Sequence, residues 1–221
     1  TGYEEAAGQG VIAGLNAAAR ALDREPVVMA RDLAFIGVLV DDLVNRGVDE
    51  PYRLFTSRSE YRLLLRQDNA LRRLLPLAEQ LRLLDSAELR RAEGRLGRED
   101  KMLDLAFTLS IPAEPANDIL MAAGSSPTLE AQIVASLAKR PGVSVRSLFA
   151  SAGFEVDPEE CEWADIELKY SGYLARERAA ADRLAKLDGF ALPDDLEYLA
   201  LKTLSFEARQ KLAARRPASL G

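Results

Sequence analysis

Between Pro51 and Leu75 the chain carries Arg53, Arg58, Arg62, Arg66, Arg72 and Arg73 against only two carboxylates, Glu60 and Asp68. The local charge opposes that of the whole chain, whose formal net charge is -6. Every cation in the stretch is Arg rather than Lys. A guanidinium is a planar fork that meets carboxylate or phosphate through two parallel bonds. The pattern therefore fits either an internal Arg–carboxylate network or a surface that holds a polyanion. Tyr52, Phe55 and Tyr61 place aromatic rings among the cations.

Other chemistry is sparse. The chain has no histidine and one cysteine, Cys161, so these residues supply no Ser-His-Asp or Cys-His catalysis, no multi-thiolate metal site and no internal disulfide. A reducing, cytoplasmic setting follows as the expectation. Cys161 stands among Asp157, Glu159, Glu160 and Glu162, whose negative field raises a thiol pKa and argues against a nucleophile. Asp41 and Asp42 are neighbours, but adjacent residues on a helix point apart, which favours a solvated or Arg-paired face over joint acid/base work. Apolar runs such as Phe35 to Val40 are far too short to span a bilayer.

The elements that must position the arginines are mostly helical. With 221 residues and 48% hydrophobic content, the chain can bury one sizeable core or two small ones. An Ala/Gly-rich helix opens it, with Gly8, Gly10 and Gly14 on a smooth face and no initiator Met before Thr1, as in a segment of a longer protein. Leu77, Leu81 and Leu84 follow Pro76. After an Asp85-Ser86 cap, Leu89, Leu96 and Leu103 repeat at heptad spacing. Ser126-Pro127 reads as the start of a helix with Leu129, Ile133 and Leu137 on one face. The longest helix should run from about Pro158 to Asp188, with Trp163, Ile166, Tyr170, Tyr173, Leu184 and Leu187 as its buried stripe and Gly189 as C-cap. These rings could stack on bases, but their helical spacing favours core packing. Short helices around Leu196 to Lys202 and from Ser205 to about Arg215 finish the chain.

Two geometries are open for the arginine stretch. Ser57 and Glu60 form a capping-box pattern, and a helix there aligns Arg58, Arg62 and Arg66. A strand from Tyr61 to Arg66 instead puts Arg62 and Arg66 on one face. Pro51 to Phe55 could pair with that strand as a short β-hairpin, which favours the strand.

Four segments, in order, resemble the MnmG family, also called glucose-inhibited division protein A. They are Thr1 to Ala18, beginning Thr1-Gly2-Tyr3-Glu4-Glu5; Asp32 to Leu43 together with the arginine stretch Glu50 to Asn69, which opens Glu50-Pro51-Tyr52-Arg53; Ile166 to Tyr173; and Leu204 to Leu212. One local departure is that Asp68-Asn69-Ala70 runs on into Leu71-Arg72-Arg73-Leu74-Leu75.

The resemblance implies a mainly α fold: residues 71–221 as a helical domain for tRNA and partner docking, preceded by residues 1–70 as the C-terminal tail of an FAD-binding α/β domain. It implies that Gly2, Tyr3, Glu4, Glu5 and Gln9 approach the flavin, and it favours nucleic-acid contact for Arg53, Arg58, Arg62 and Arg66, with the flavin's phosphate edge or structural carboxylates as the alternatives. It assigns no catalytic residue and no metal ligand here. The parent enzyme would use FAD, NADH and methylenetetrahydrofolate to build a 5-carboxymethylaminomethyl-type group on the wobble uridine of tRNA, as a homodimer working with a GTPase partner. The glycine-rich nucleotide fingerprint and the nicotinamide-receiving insertion lie outside these residues, and the family continues beyond Gly221 into a final small helical segment. The segment alone is thus expected to bind no FAD and to turn over nothing. Two other classes of function stand beside this one: a stand-alone helical protein- or RNA-binding module, and a structural dimerisation domain.

Overall fold

The computed structural model describes residues 2–46 and 51–220, with the side chain of Asp188 left aside. Thr1 and Glu50, which open two of the sequence motifs, and Gly221 lie outside the described residues. Two compact units divide the chain, Thr1–Leu174 and Ala175–Gly221.

In the first unit, α1 (Tyr3–Ala21) and α2 (Phe35–Asp41) pack together, joined by an extended segment. Asn16 pins that segment: its amide nitrogen donates to the Val27 carbonyl at 3.0 Å and its oxygen accepts from the Val27 amide at 2.8 Å. Gly37 lets α2 lie directly on it, because a Cβ there would collide with the Ala30 carbonyl and come 2.7 Å from that of Met29. Next come α3 (Ala70–Gln80) and α4 (Ser86–Thr108). The strands β1 (Ser110–Ile111) and β2 (Gln132–Ile133) pair antiparallel, and α5 (Ala113–Ala122) lies between them. The helices α6 (Val134–Leu137) and α7 (Val145–Ser151) lead into α8 (Pro158–Asp188), the longest.

The cap of α4 forms as the sequence demands. Asp85 accepts from the amides of Ala87 and Glu88, both at 2.8 Å, while Glu88 reaches back to the Asp85 amide at 2.9 Å. Met102, Ala106, Ile111, Leu120, Val134, Leu137, Leu148, Phe149, Trp163 and Leu168 belong to the core, drawn from α4 to α8 and the β1–β2 ribbon. A left-handed Gly124 (φ +68°) ends α5 and lets the Ser125 amide return to the Leu120 carbonyl.

Mainly α architecture is what the sequence implies, but several local expectations need correction. Over 51–66 neither hairpin nor α-helix forms: a 3-10 turn over Thr56–Arg58 is followed by a second turn at Tyr61. Glu60 cannot cap Ser57, because Arg31 holds its carboxylate. No helix starts at Ser126; Thr128 is instead held extended by Asn117, leaving Leu129 exposed and only Val134–Leu137 helical. The helix α3 begins before Pro76 and carries it on an exposed face, where the lost amide bond is tolerable. In α4 the buried seam is Ala92, Glu99, Met102 and Ala106 rather than Leu89, Leu96 and Leu103. In α8 the buried apolar positions are Cys161, Trp163, Ala164, Leu168, Leu174 and Ala181; Tyr170, Tyr173, Leu184 and Leu187 are exposed.

The second unit comprises the end of α8, a 3-10 turn (Tyr198–Ala200) where a helix from Leu196 is expected, and α9 (Phe206–Arg215). Ser205 caps α9 by accepting from the Ala208 amide at 3.2 Å. Tyr198 is buried, and the segment after α9 returns so that Ala191 pairs with Ser219.

Candidate nucleic-acid interface

Apart from the 3-10 turn over Thr56–Arg58, the loop from Pro51 to Asn69 has no regular structure, so side chains must fix it. Tyr52, Tyr61, Leu64 and Leu65 are buried with no helical or strand period, and Asn69 donates to the Leu64 carbonyl at 3.0 Å. Asp42 anchors the loop from below. Its carboxylate, 1% exposed, lies 2.8 Å from Arg31, 3.4 Å from Arg46 and 3.9 Å from Arg58, and accepts from the Tyr52 hydroxyl at 2.7 Å. Arg31 is the hub: it also reaches Asp41 at 2.7 Å, Glu60 at 2.9 Å and the Arg58 carbonyl at 3.2 Å.

Electrostatics follow from that packing. Burial alone would raise the Asp42 pKa, but the Tyr52 hydroxyl and Arg31 outweigh it and bring it below the ordinary aspartate value. Burial and the neighbouring Asp42 push Tyr52 up to about 12. For Arg31, burial opposes the charge, and Asp42, Glu60 and Asp41 more than offset it, so its pKa moves upward. Burial, with Asp165 next, raises the Cys161 thiol to about 11, so the thiolate is scarce at neutral pH.

The arginines singled out in the sequence divide into two kinds. Arg53 and Arg58 have partly exposed side chains, at 61% and 39%; Arg53 lies 3.6 Å from Glu5 and Arg58 stacks 4.7 Å over the Tyr52 ring. Arg62 is exposed and has no ion pair among the described residues. Arg66 is internal, its side chain 14% exposed and bonded to Asp68 at 2.9 Å and Glu167 at 2.6 Å, so it ties the loop to α8. Arg72 and Arg73 are structural as well. Arg72 pairs with Glu99 at 3.0 Å and covers the Trp163 ring at 4.8 Å; Arg73 donates to the carbonyls of Leu33 and Arg66.

At the start of α1, Gly2 is the N-cap, and a Cβ on it would strike the Glu5 carboxylate and come 2.7 Å from Arg53. Glu5 is buried and accepts from the Leu54 amide at 3.1 Å, the main reason its pKa is lowered. Glu4, Glu5, Gly8, Phe35, Ile36, Leu39, Arg53 and Leu54 line a groove of about 390 Å³. It brings Glu4 and Glu5 to Arg53; Tyr3, exposed, and Gln9, half-buried, are not among its lining. The sequence reading missed Arg31. Its only signal was that Asp41, Asp42 and Glu60 together required a cation.

Fold and loop together match one class, the C-terminal helical region of an enzyme that modifies tRNA. The model of the tRNA modifying enzyme MnmG/GidA C-terminal helical domain matches residues 58–178, and that of the MnmG/GidA C-terminal helical bundle matches residues 180–221. This chain belongs to the MnmG/GidA family. It is 41% identical over 227 residues to the tRNA uridine 5-carboxymethylaminomethyl modification enzyme MnmG of Flavobacterium psychrophilum, a match covering 100% of this chain and 36% of that protein. The protein of the same name from Chlorobaculum tepidum is 42% identical over 229 residues, covering 100% and 37%. GidA of Aquifex aeolicus superposes with a TM-score of 0.74 at 39% identity, over 99% of this chain and 35% of that one. The chain thus spans about a third of the length of these relatives.

Proposed function

We propose that this chain is the C-terminal part of an FAD-dependent enzyme that builds a 5-carboxymethylaminomethyl group on the wobble uridine of tRNA. In this reading it presents tRNA-binding arginines and a partner-docking surface, while the reaction itself is carried by the longer protein. One observation carries the proposal: Arg53, Arg58 and Arg62 stand outward on a loop whose internal charges are already paired, in a family named for tRNA modification. A loop pinned by Asp42, Arg31 and Tyr52 offers phosphate a preordered set of donors. Arg66, with two carboxylates on it, positions the loop rather than binding RNA.

Gly2, Tyr3, Glu4, Glu5 and Gln9 fit the edge of a flavin only in part. Two carboxylates in the first turn of α1 repel a pyrophosphate from that helix end, while the groove wall made by Gly8, Phe35 and Ile36 is apolar and suits an uncharged ring. FAD, when bound, would supply the redox chemistry, with NADH as its reductant and methylenetetrahydrofolate as the one-carbon source. Glu5 here holds the Leu54 amide, and through it the loop, against α1.

Homodimer formation, a GTPase partner and a cytoplasmic setting belong to the same reading. Exposed Phe190, Leu199 and Phe206 in the unit Ala175–Gly221 support a docking role. Among the described residues no helix is long and apolar enough to cross a membrane. The test is tRNA affinity at several salt concentrations: each of Arg53→Ala, Arg58→Ala and Arg62→Ala should lower the log–log salt slope by about one unit. Unchanged slopes in all three would overturn the proposal.

A further inference from the structure

Phe55 stands at the tip of the pinned loop, 58% exposed, and no ring or cation covers it among the described residues. Solvent exposure of a phenyl ring this large forgoes burial that any relaxed loop would seek. This loop cannot relax. On one side the Leu54 amide is bonded to Glu5 and the Tyr52 ring is buried, with its hydroxyl on Asp42. On the other, the Phe55 carbonyl accepts from the Arg58 amide at 2.9 Å, and the Arg58 carbonyl is held by Arg31. The backbone around Phe55 is thereby fixed, and its ring is flanked in sequence by two exposed guanidinium groups, Arg53 and Arg58.

An exposed aromatic ring on a fixed backbone, with an exposed arginine on each side of it along the chain, matches what binds unpaired RNA: phosphates meet the arginines while a base lies on the ring. We propose that Phe55 is the stacking platform for an unpaired nucleobase in the loop of the bound tRNA. This rests on the tRNA-binding reading above and adds a contact of a different kind, one that salt does not weaken. Stacking tolerates any base, so Phe55 grips the loop while other groups select the uridine.

The experiment uses the protein at its full encoded length, with tRNA and an anticodon-type hairpin carrying 2-aminopurine in its loop. Affinity is measured at several salt concentrations for the wild type, Phe55→Leu and Phe55→Trp, with thermal melting in parallel. Phe55→Leu should lose about 5- to 150-fold in affinity with an unchanged salt slope and melting temperature, and should lose the fluorescence quench. Phe55→Trp should keep both affinity and quench. Wild-type affinity in Phe55→Leu, alongside normal arginine-dependent slopes, would overturn the stacking role alone. A melting temperature lowered by several degrees would do the same by showing the ring to be packed. If the wild type has no salt-dependent tRNA affinity, the functional proposal and this inference fall together.

Discussion

The arginine loop and the core between α4 and α8 are held by opposite means. Around Leu120, Leu137, Leu148 and Phe149 the chain is fixed by apolar burial, and polar groups are peripheral. From Pro51 to Asn69 a few buried side chains, Tyr52, Tyr61, Leu64 and Leu65, are joined by a charge network: Arg31, Asp42, Glu60, Arg66 and Asp68 occupy the places that a helix or sheet would give to backbone bonds. Apolar packing tolerates many backbones and specifies the region as a whole. A network of ion pairs specifies a single loop shape, at the cost of failing when one member is lost.

The largest effect should come from the core. Phe149→Ala removes a side chain with no exposure and should cost about 3–5 kcal/mol in a urea melt, without altering the loop's ion pairs. Arg31→Ala should come next, at about 2–4 kcal/mol, because it takes the shortest ion pair from the buried Asp42 carboxylate and frees Asp41 and Glu60; the remaining Tyr52, Arg46 and Arg58 partners of Asp42 and the partial exposure of Arg31 hold the figure down. A cost below about 0.5 kcal/mol would remove Arg31 as the hub. Arg66→Ala should cost about 1–3 kcal/mol, whereas Arg62→Ala, four residues away, should leave melting unchanged and alter only tRNA affinity. Reversed outcomes for that pair would exchange their assigned roles.

Tyr52 provides a pH test of the same contrast. The folded state holds its phenolic proton more tightly than the unfolded chain does. Its stabilisation is therefore complete below the ordinary value of 10.0 and is lost as pH rises towards about 12. Tyr52→Phe should abolish that alkaline step in stability; an unchanged step would assign it elsewhere. The smallest effect is expected at Leu184. At 44% exposure, Leu184→Ala should cost below about 1 kcal/mol, and a larger loss would place it in a core.

Long periodic elements were legible in the sequence. The limits of α8 coincide with the expected Pro158 and Asp188, the cap at Asp85 forms, and α9 runs over the stretch expected from Ser205 to about Arg215. Which face is buried was less legible, because the large side chains Tyr170, Tyr173 and Leu184 dominate the pattern while small ones, Ala164 and Ala181, make the close contacts. Local signals misled where distant partners intervened. Ser57 and Glu60 carry a helix-capping pattern, but Arg31 takes Glu60 from another part of the chain. For the same reason the sequence could group Arg62 with Arg66 but could not tell the exposed one from the paired one.

Two of the loop's anchors join residues far apart along the chain: Leu54 to Glu5 across 49 positions and Arg66 to Glu167 across 101. Closing such long loops costs chain entropy before any contact repays it, so these bonds are expected to close after α1 and α8 exist. On that expectation, assembly of the molecule would end at its arginines. Exchange of the Leu54 amide with solvent is the natural clock for that last step, since this hydrogen leaves its bond whenever the first turn of α1 opens. The outward guanidinium array exists as a surface only while both distant closures hold.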